Sequence, residues 1–339
     1  MTKKWHALFW LIALVSTCLH GEGCSGSCSS ARSPQSADTS LSPIHAPVIP
    51  APDPERLVQL VRAQLQWGPR VPNTAAHDSC RVWLLAQLRG IADTVFEQPF
   101  RANVYGRTYQ CTNIIARLFP EQPQRILLCA HWDSRPYADE DPVTEHRTRP
   151  VPGANDGASG VAVILELVSL LRQSPPPAVG IDVVLFDAED MGAPSDEKMF
   201  CLGSKHFATY MPLSPRPRYG ILFDMVGDRD ARFPMEYNSY QAAASVVERL
   251  WRLGKLYGGG HFIDQIGGSV VDDHLPLIEA GIPTVNIIDL ELVGNSSPSA
   301  RRRYWHTTKD TLDNISGNTL ASVARVVLAL LYSDTPFPL

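Results

Sequence analysis

The sequence predicts an α/β fold, a three-layer α/β/α sandwich around a mixed, largely parallel central sheet. Two observations carry that expectation. Four short apolar runs, residues 125–130, 181–186, 219–223 and 283–288, have the length and character of strands buried on both faces, with helix-like segments among them. The first three break directly into polar clusters: His131 and Asp133, then Asp187, Glu189 and Asp190, then Asp224. In sheets covered by helices on both faces, ligands gather beyond the carboxyl ends of the strands, where such residues would meet.

Taken in order, residues 125–130 (RILLCA) form a strand that delivers His131, Trp132, Asp133 and Ser134 at its end. A long polar insert, residues 135–152, follows. Residues 153–160 (GANDGASG) carry Asp156 in a tight turn just ahead of a buried helix over 161–171, apolar nearly all round and broken mainly by Glu166 and Ser169. The strand at 181–186 (IDVVLF) ends in three carboxylates within four residues. Adjacent carboxylates repel and are costly to desolvate unless something positive lies between them, and a metal supplies that charge. Residues 203–210 read as an amphipathic stretch, 219–223 as a strand before Asp224, and 274–280 as a helix opened by Asp272, Asp273 and His274. Beyond the strand at 283–288 lie Trp305, His306 and Thr307.

Five residues in this set, His131, Asp156, Asp190, Asp224 and His306, have zinc-ligand side chains. Zinc takes nitrogen from His and oxygen from carboxylates, and a catalytic site keeps three protein ligands with a further position open. Glu189, next to a ligand and free of the metal, can then carry protons.

The ordered set of motifs resembles the zinc aminopeptidases of the M28 class. Within that superfamily the chain is most similar to the bacterial zinc-dependent glutaminyl cyclases, through Trp305 directly before the final His, the Asp272, Asp273, His274 triplet leading to Gly281, Ile282 and Pro283, and the long insert. The resemblance implies one zinc per chain held by Asp156, Asp190 and His306, with His131 and Asp224 retained as a vestigial second pair. It implies Glu189 as general acid and base, Asp224 and Asp272 in a hydrogen-bonded network beside it, Trp305 as an aromatic wall of the substrate pocket, and a cis peptide between Asp156 and Gly157. The implied activity is that of a glutaminyl-peptide cyclotransferase, which turns the N-terminal glutamine of peptides and proteins into pyroglutamate and releases ammonia. An M28-type zinc aminopeptidase is the alternative, because all five ligand types of a dinuclear centre are present. Two features depart from the animal-type cyclases. They carry Glu where this chain has Asp190, and a pocket Trp in the following loop, whereas residues 191–200 contain none, leaving Phe200 or Trp132 as substitutes.

Other signals are local. Asp133 either orients the His131 imidazole or caps its loop. His274 reads as structural, and His77, His206 and His261 as ordinary surface or core histidines. The Gly258 to Gly260 run lacks the flanking strand and helix of a phosphate cradle, and no GxSxG element is present. The run Arg301 to Arg303 reads as a solvated loop. A chain of 339 residues, 44% hydrophobic, can build one large α/β domain, taken as residues 53–339, and a net charge of −5 gives no electrostatic reason to expect nucleic acid as a partner. Lys3 and Lys4 before the apolar residues 5–15, followed by small residues up to Cys18, read as an export signal over 1–18 with a lipobox-like end. The expectation is an exported protein, periplasmic or at the cell surface, lipid-anchored at Cys18 through a flexible Ser/Pro-rich linker over 19–52. Cys80, Cys111, Cys129 and Cys201 have spacings that leave pairing and free thiols equally open.

Overall fold

The polar clusters predicted at strand ends do converge, because the strands that carry them lie side by side and run the same way. The computed structural model describes residues 49–338 apart from 177, 334 and 335. The expected leader, with Cys18, and residues 19–48 of the expected linker lie outside it. Contacts divide the chain into residues 1–46 and 47–339, and every described residue falls in the second unit.

Helix α1 (Pro54–Leu65) is capped by Asp53, whose side chain accepts from the backbone N–H groups of Glu55 and Arg56. Helix α2 (Ala75–Arg89) is capped by Thr74. Strands β1 (Thr94–Val104) and β2 (Arg107–Leu118) form an antiparallel hairpin, and β2 pairs antiparallel with β4 (Gly180–Phe186). Strand β3 (Arg125–His131) lies parallel to both β4 and β5 (Tyr219–Asp224), and β5 lies parallel to β8 (Thr284–Ile288). The sheet order is β1-β2-β4-β3-β5-β8, mixed and largely parallel as expected. Helix α3 (Ala158–Gln173) extends the predicted buried helix by three residues at its start and two at its end. The remaining elements are α4 (Leu202–Thr209), β6 (Phe233–Met235), α5 (Tyr237–Tyr257), β7 (Phe262–Ile266), α6 (His274–Glu279) and α7 (Gly317–Leu331). Strands β6 and β7 pair as a separate two-stranded sheet.

The alternation of side chains along each strand divides the core in two. Ile126, Leu128 and Ala130 of β3 join Ile181, Val183 and Leu185 of β4 in a large cluster beneath α1, α2, α3, α5 and α7. Leu127 and Cys129 point the other way with Val184 and Phe186, into a smaller cluster closed by Phe207 of α4 and Leu277 of α6. All positions of β3, β4, β5 and β8 are buried, so these strands read as predominantly apolar runs. Gly160 lets α3 press onto the sheet, since a Cβ there would stand 2.1 Å from the Phe223 carbonyl oxygen. The pairing of His131 with Phe186 brings the ends of β3 and β4 level.

At the opposite end, Asp182 of β4 is fully buried and accepts from Arg125 Nε and Nη2 of β3 and from Arg117 Nε of β2, each at 2.8 Å. Arg125 is also fully buried. Removing one partner of such a group leaves an uncompensated charge in the interior. Asp182→Ala should therefore cost ~3 to 5 kcal/mol in urea unfolding; a loss below ~1 kcal/mol would contradict a structural role for this three-strand staple.

Candidate active site

Each candidate ligand is presented by backbone that other buried groups hold in place. Asp156 stands in the turn before α3. Its own N–H and that of Asn155 donate to Asp310, at 3.0 and 2.9 Å. The Asp156–Gly157 bond, expected cis, is trans. The chain reverses instead at Gly157, whose φ of 92° is open in practice to glycine alone, and a Cβ there would come within 2.9 Å of Asp133 O and His131 Cε1. Arg70, fully buried, donates to the carbonyl oxygens of Trp132, Pro152 and Gly153 at 2.9, 3.0 and 2.7 Å, tying the exit of β3 to that turn.

The exit of β4 is held by Asp187, which lies 3.0 Å from His77 Nε2 and accepts from the backbone N–H groups of Thr112 and Ala188. His77, read from sequence as ordinary, is thus a buried positioning group, stacked on Trp132 with ring centroids 4.2 Å apart. Asp133 stands beside the His131 imidazole and caps the neighbouring β4 exit instead of its own loop. Its Oδ1 lies 3.4 Å from His131 Nδ1, and its carboxylate accepts from the N–H groups of Glu189 and Asp190 at 3.1 and 3.3 Å.

These supports bring all five candidate ligands together as two trios that share Asp156. Asp156 Oδ1 is 3.0 Å from His131 Nε2, which is 3.3 Å from Asp224 Oδ1. Asp156 Oδ2 is 3.7 Å from His306 Nε2, which is 3.4 Å from Asp190 Oδ2. Within each trio the ligand atoms lie within 4.8 Å of one another. Both His131 nitrogens, Asp190 Oδ2 and Asp224 Oδ1 are buried without a hydrogen-bond partner. Native interiors rarely leave such atoms unsatisfied. Burial pushes the Asp190 carboxyl up to about 8 even with Arg135 opposing, and burial with the Asp272 charge pushes Asp224 up to about 7. Burial, with the Arg135 charge adding to it, lowers His306 to about 3, so its imidazole is neutral and able to ligate. Orphaned oxygens, surplus negative charge and a neutral imidazole fit a divalent cation, and the nitrogen and oxygen donor set suits zinc.

Glu189 belongs to neither trio. It lines the same cavity of about 50 Å³ as Asp156, Asp190, Asp224, Asp272 and His306. Burial raises its carboxyl well above the usual range, and Asp190, Asp273 and Asp272 raise it further. Cys201 Sγ donates to its Oε1 at 3.4 Å, and the Cys201 N–H donates to its carbonyl. Asp272 is held by Asn286 Nδ2 at 2.7 Å. Among the described residues no direct hydrogen bond joins Glu189 to Asp224 or Asp272; the three line one cavity, and Asp272 repels Glu189.

Trp305 lines that cavity, stacked on His306 with centroids 3.4 Å apart, and Phe200 also lines it. Trp132, the other candidate wall, is buried against His77 away from the cavity. His274, as expected, is structural, buried with its Nε2 3.2 Å from Glu236. His206 stacks on Phe100, and His261 Nδ1 bonds to the Ala231 carbonyl. The expected solvated loop at Arg301 to Arg303 needs correction: Arg302 is buried against Asp289, Glu291 and Asp228, and Arg301 pairs with Asp228 and Asp230. The four cysteines of the domain are free and buried. Arg70, Arg135, Asp310 and Cys201 were not singled out as site residues from the sequence. Only Asp310, four residues after His306 on the same loop, carried a signal of position.

Because the raised carboxyls are partly protonated near pH 7, binding of a divalent cation to metal-free protein should expel protons. Calorimetric titration with zinc in buffers of different ionisation enthalpy should show net proton release; identical heats in all buffers would contradict it.

Residues 113–331, more than half of the chain, match the model of peptidase family M28. The chain is similar to a glutaminyl cyclase of Bacteroides thetaiotaomicron solved with N-acetylhistamine, at 36% identity and TM-score 0.80 over 85% of this chain and 100% of that one. It is similar to a leucine aminopeptidase precursor from the same organism, at 36% identity and TM-score 0.79 over 85% and 99%. A glutaminyl-peptide cyclotransferase-like protein of Mus musculus is 27% identical over 289 residues, 77% of this chain and 71% of the relative. With its fold, its paired ligand trios and these matches in agreement, the chain belongs to peptidase family M28.

Proposed function

We propose that the protein is a glutaminyl-peptide cyclotransferase that converts N-terminal glutamine of peptides and proteins to pyroglutamate with release of ammonia. The observation that carries this reading is Glu189, a buried carboxyl outside both ligand trios that shares one small cavity with Asp156, Asp190, His306 and Trp305. Similarity to the bacterial cyclase structure and to curated cyclotransferases supports it.

Asp156, Asp190 and His306 would hold one zinc per chain, whose chemistry when bound is Lewis-acid polarisation of the glutamine side-chain amide oxygen. The residues of the chain account for the rest. As the α-amine nitrogen bonds to the amide carbon, Glu189 accepts the proton that nitrogen loses. Glu189 then returns it to the amide nitrogen, which leaves as ammonia when its bond to carbon breaks. One carboxyl can do both if its pKa sits near neutrality: burial and its acidic neighbours push it up, while His131 and a bound cation would pull it down. Asp190, Asp273 and Asp272 contribute to the upward push by repulsion. Trp305 and Phe200 supply apolar walls that keep water out and hold the side chain over its own amine, an intramolecular geometry that needs no activated water.

A second reading, an aminopeptidase, is favoured by the complete His131, Asp156, Asp224 trio and by similarity to the leucine aminopeptidase precursor. Products separate the two. A peptide beginning with glutamine should become lighter by one ammonia with its N-terminus blocked, and leucine-initiated peptides should stay intact. Mass spectrometry dominated by chains one residue shorter would move the assignment to peptidase. Glu189→Gln should lower turnover at least ~10²-fold with zinc retained, whereas Asp190→Ala should lose the metal. Equal zinc loss in both variants would refute this division of labour. The export signal read in residues 1–18 further supports a secreted, tethered enzyme. Labelling with a radioactive fatty acid should mark the full chain and be abolished by Cys18→Ser; an unlabelled wild-type chain would rule the anchor out.

A further inference from the structure

Arg135 stands at the start of the polar insert, 3% exposed, outside both ligand trios. Every arm of its guanidinium is used. Nη1 donates to Asp190 Oδ1 at 2.5 Å, and Nε and Nη2 donate to the two oxygens of Asp139 at 2.7 and 2.6 Å. Its central carbon lies 5.5 Å from the centre of the Phe200 ring. Asp139 in turn is 3.8 Å from His306 Nδ1, the imidazole nitrogen opposite the one that faces Asp156 and Asp190. The insert is fastened to the same loop a second time, through the Glu140 N–H on the His306 carbonyl and Thr308 on Asp141.

We propose that Arg135 is the positioning residue of the metal site: it occupies one oxygen of Asp190 so that Oδ2 alone is offered to the ion, and it steers His306 through Asp139. The proposal deepens the reading of Asp156, Asp190 and His306 as ligands and rests on it. A carboxylate with both oxygens free can rotate or chelate through two atoms, and a rigid planar fork on Oδ1 removes both freedoms. The same fork holds Asp139 behind an imidazole whose Nδ1 has no hydrogen-bond partner. Carboxylates placed behind ligating histidines fix ring orientation. Phe200, lying on the guanidinium face, couples the pocket wall to the same anchor. The cation also offsets part of the negative charge of Asp139 and Asp190. Lysine at this position would keep the charge and lose the fork.

The test compares wild type, Arg135→Lys and Asp139→Asn. Zinc transfer to a chromophoric chelator gives the affinity, the absorption of the cobalt-substituted proteins reports ligand geometry, and urea unfolding of the metal-free forms reports stability. Arg135→Lys should weaken zinc binding ~10 to 100-fold and alter the cobalt spectrum, while metal-free stability stays close to wild type. Asp139→Asn, which spares the Asp190 contact, should show a smaller loss of the same kind. Wild-type affinity and an unchanged spectrum in Arg135→Lys would overturn the proposal, as would an affinity loss matched by an equal loss of metal-free stability. If Arg135→Lys does not fold, Asp139→Asn decides: unchanged affinity and spectrum refute the steering of His306, and their change upholds it. Wild type that takes up no zinc defeats the ligand assignment itself, and that result is read before any substitution is compared.

Discussion

The constraint on which this structure turns is the burial of several carboxylates around one small cavity. Asp156, Glu189, Asp190, Asp224 and Asp272 are each at most 8% exposed. An unpaired carboxylate in the interior costs several kcal/mol even after relaxation, so the fold has to surround the group with compensation. Part of it is backbone geometry: the parallel order of β4, β3, β5 and β8 brings strand ends level, and the turn at Gly157 aims Asp156 back across them. Part is charge and hydrogen bonding from Arg135 on Asp190 and from Arg70 on three carbonyl oxygens, whereas Asp310 and Asp133 fix the backbone of the Asp156 and Glu189 turns and add negative charge of their own. What these groups leave uncompensated is what a cation would meet.

The parts legible in the sequence were those that burial makes uniform. A strand hidden on both faces is mostly apolar, with a polar residue such as Asp182 admitted only when it is paired, and a strand end at a functional edge turns polar at once, so the runs 125–130, 181–186 and 219–223 and the clusters after them declared themselves. The β1–β2 hairpin did not. Its strands are half-exposed, β1 contains Pro99, and many of its side chains meet solvent. Helices α1, α2, α5 and α7 were likewise unassigned, since amphipathic stretches carry no mark of the site they buttress. The five candidate ligands were legible as residue types at strand and helix ends, whereas Arg70 and Arg135 look like any surface arginine until their partners, 62 to 83 and 4 to 55 residues away, are known. Arg302 misled for the same reason, because a paired buried cation and a solvated one have the same letter. The trans bond after Asp156 shows that a left-handed glycine can make a reversal attributed to a cis peptide.

The two sides of the sheet are unequal, and the site straddles them. The larger cluster lies beneath α1, α2, α3, α5 and α7, and α3 begins immediately after the Asp156 turn. On the thinner side, α4 follows directly from Cys201, which clasps Glu189, and α6 begins directly after Asp272 and Asp273. Ser204 Oγ donates to Asp273 at 2.5 Å and links these two short helices across the thin layer. Asp190 lies in the segment next to Cys201 but is tied by Arg135 to the insert.

That division separates rigidity from compliance. Regions with fewer buried apolar contacts open at lower free energy than the core they adjoin. Asp156 is seated at the start of α3 against the deep layer, while His306 and Asp190 are braced by the insert. Glu189, the carboxyl proposed to carry the proton, and its acidic neighbour Asp272 rest on the shallow half. Opening of α4 and α6 at lower free energy than the deep layer would reshape the walls beside Glu189 and Asp272 while Asp156 keeps its seat at the start of α3.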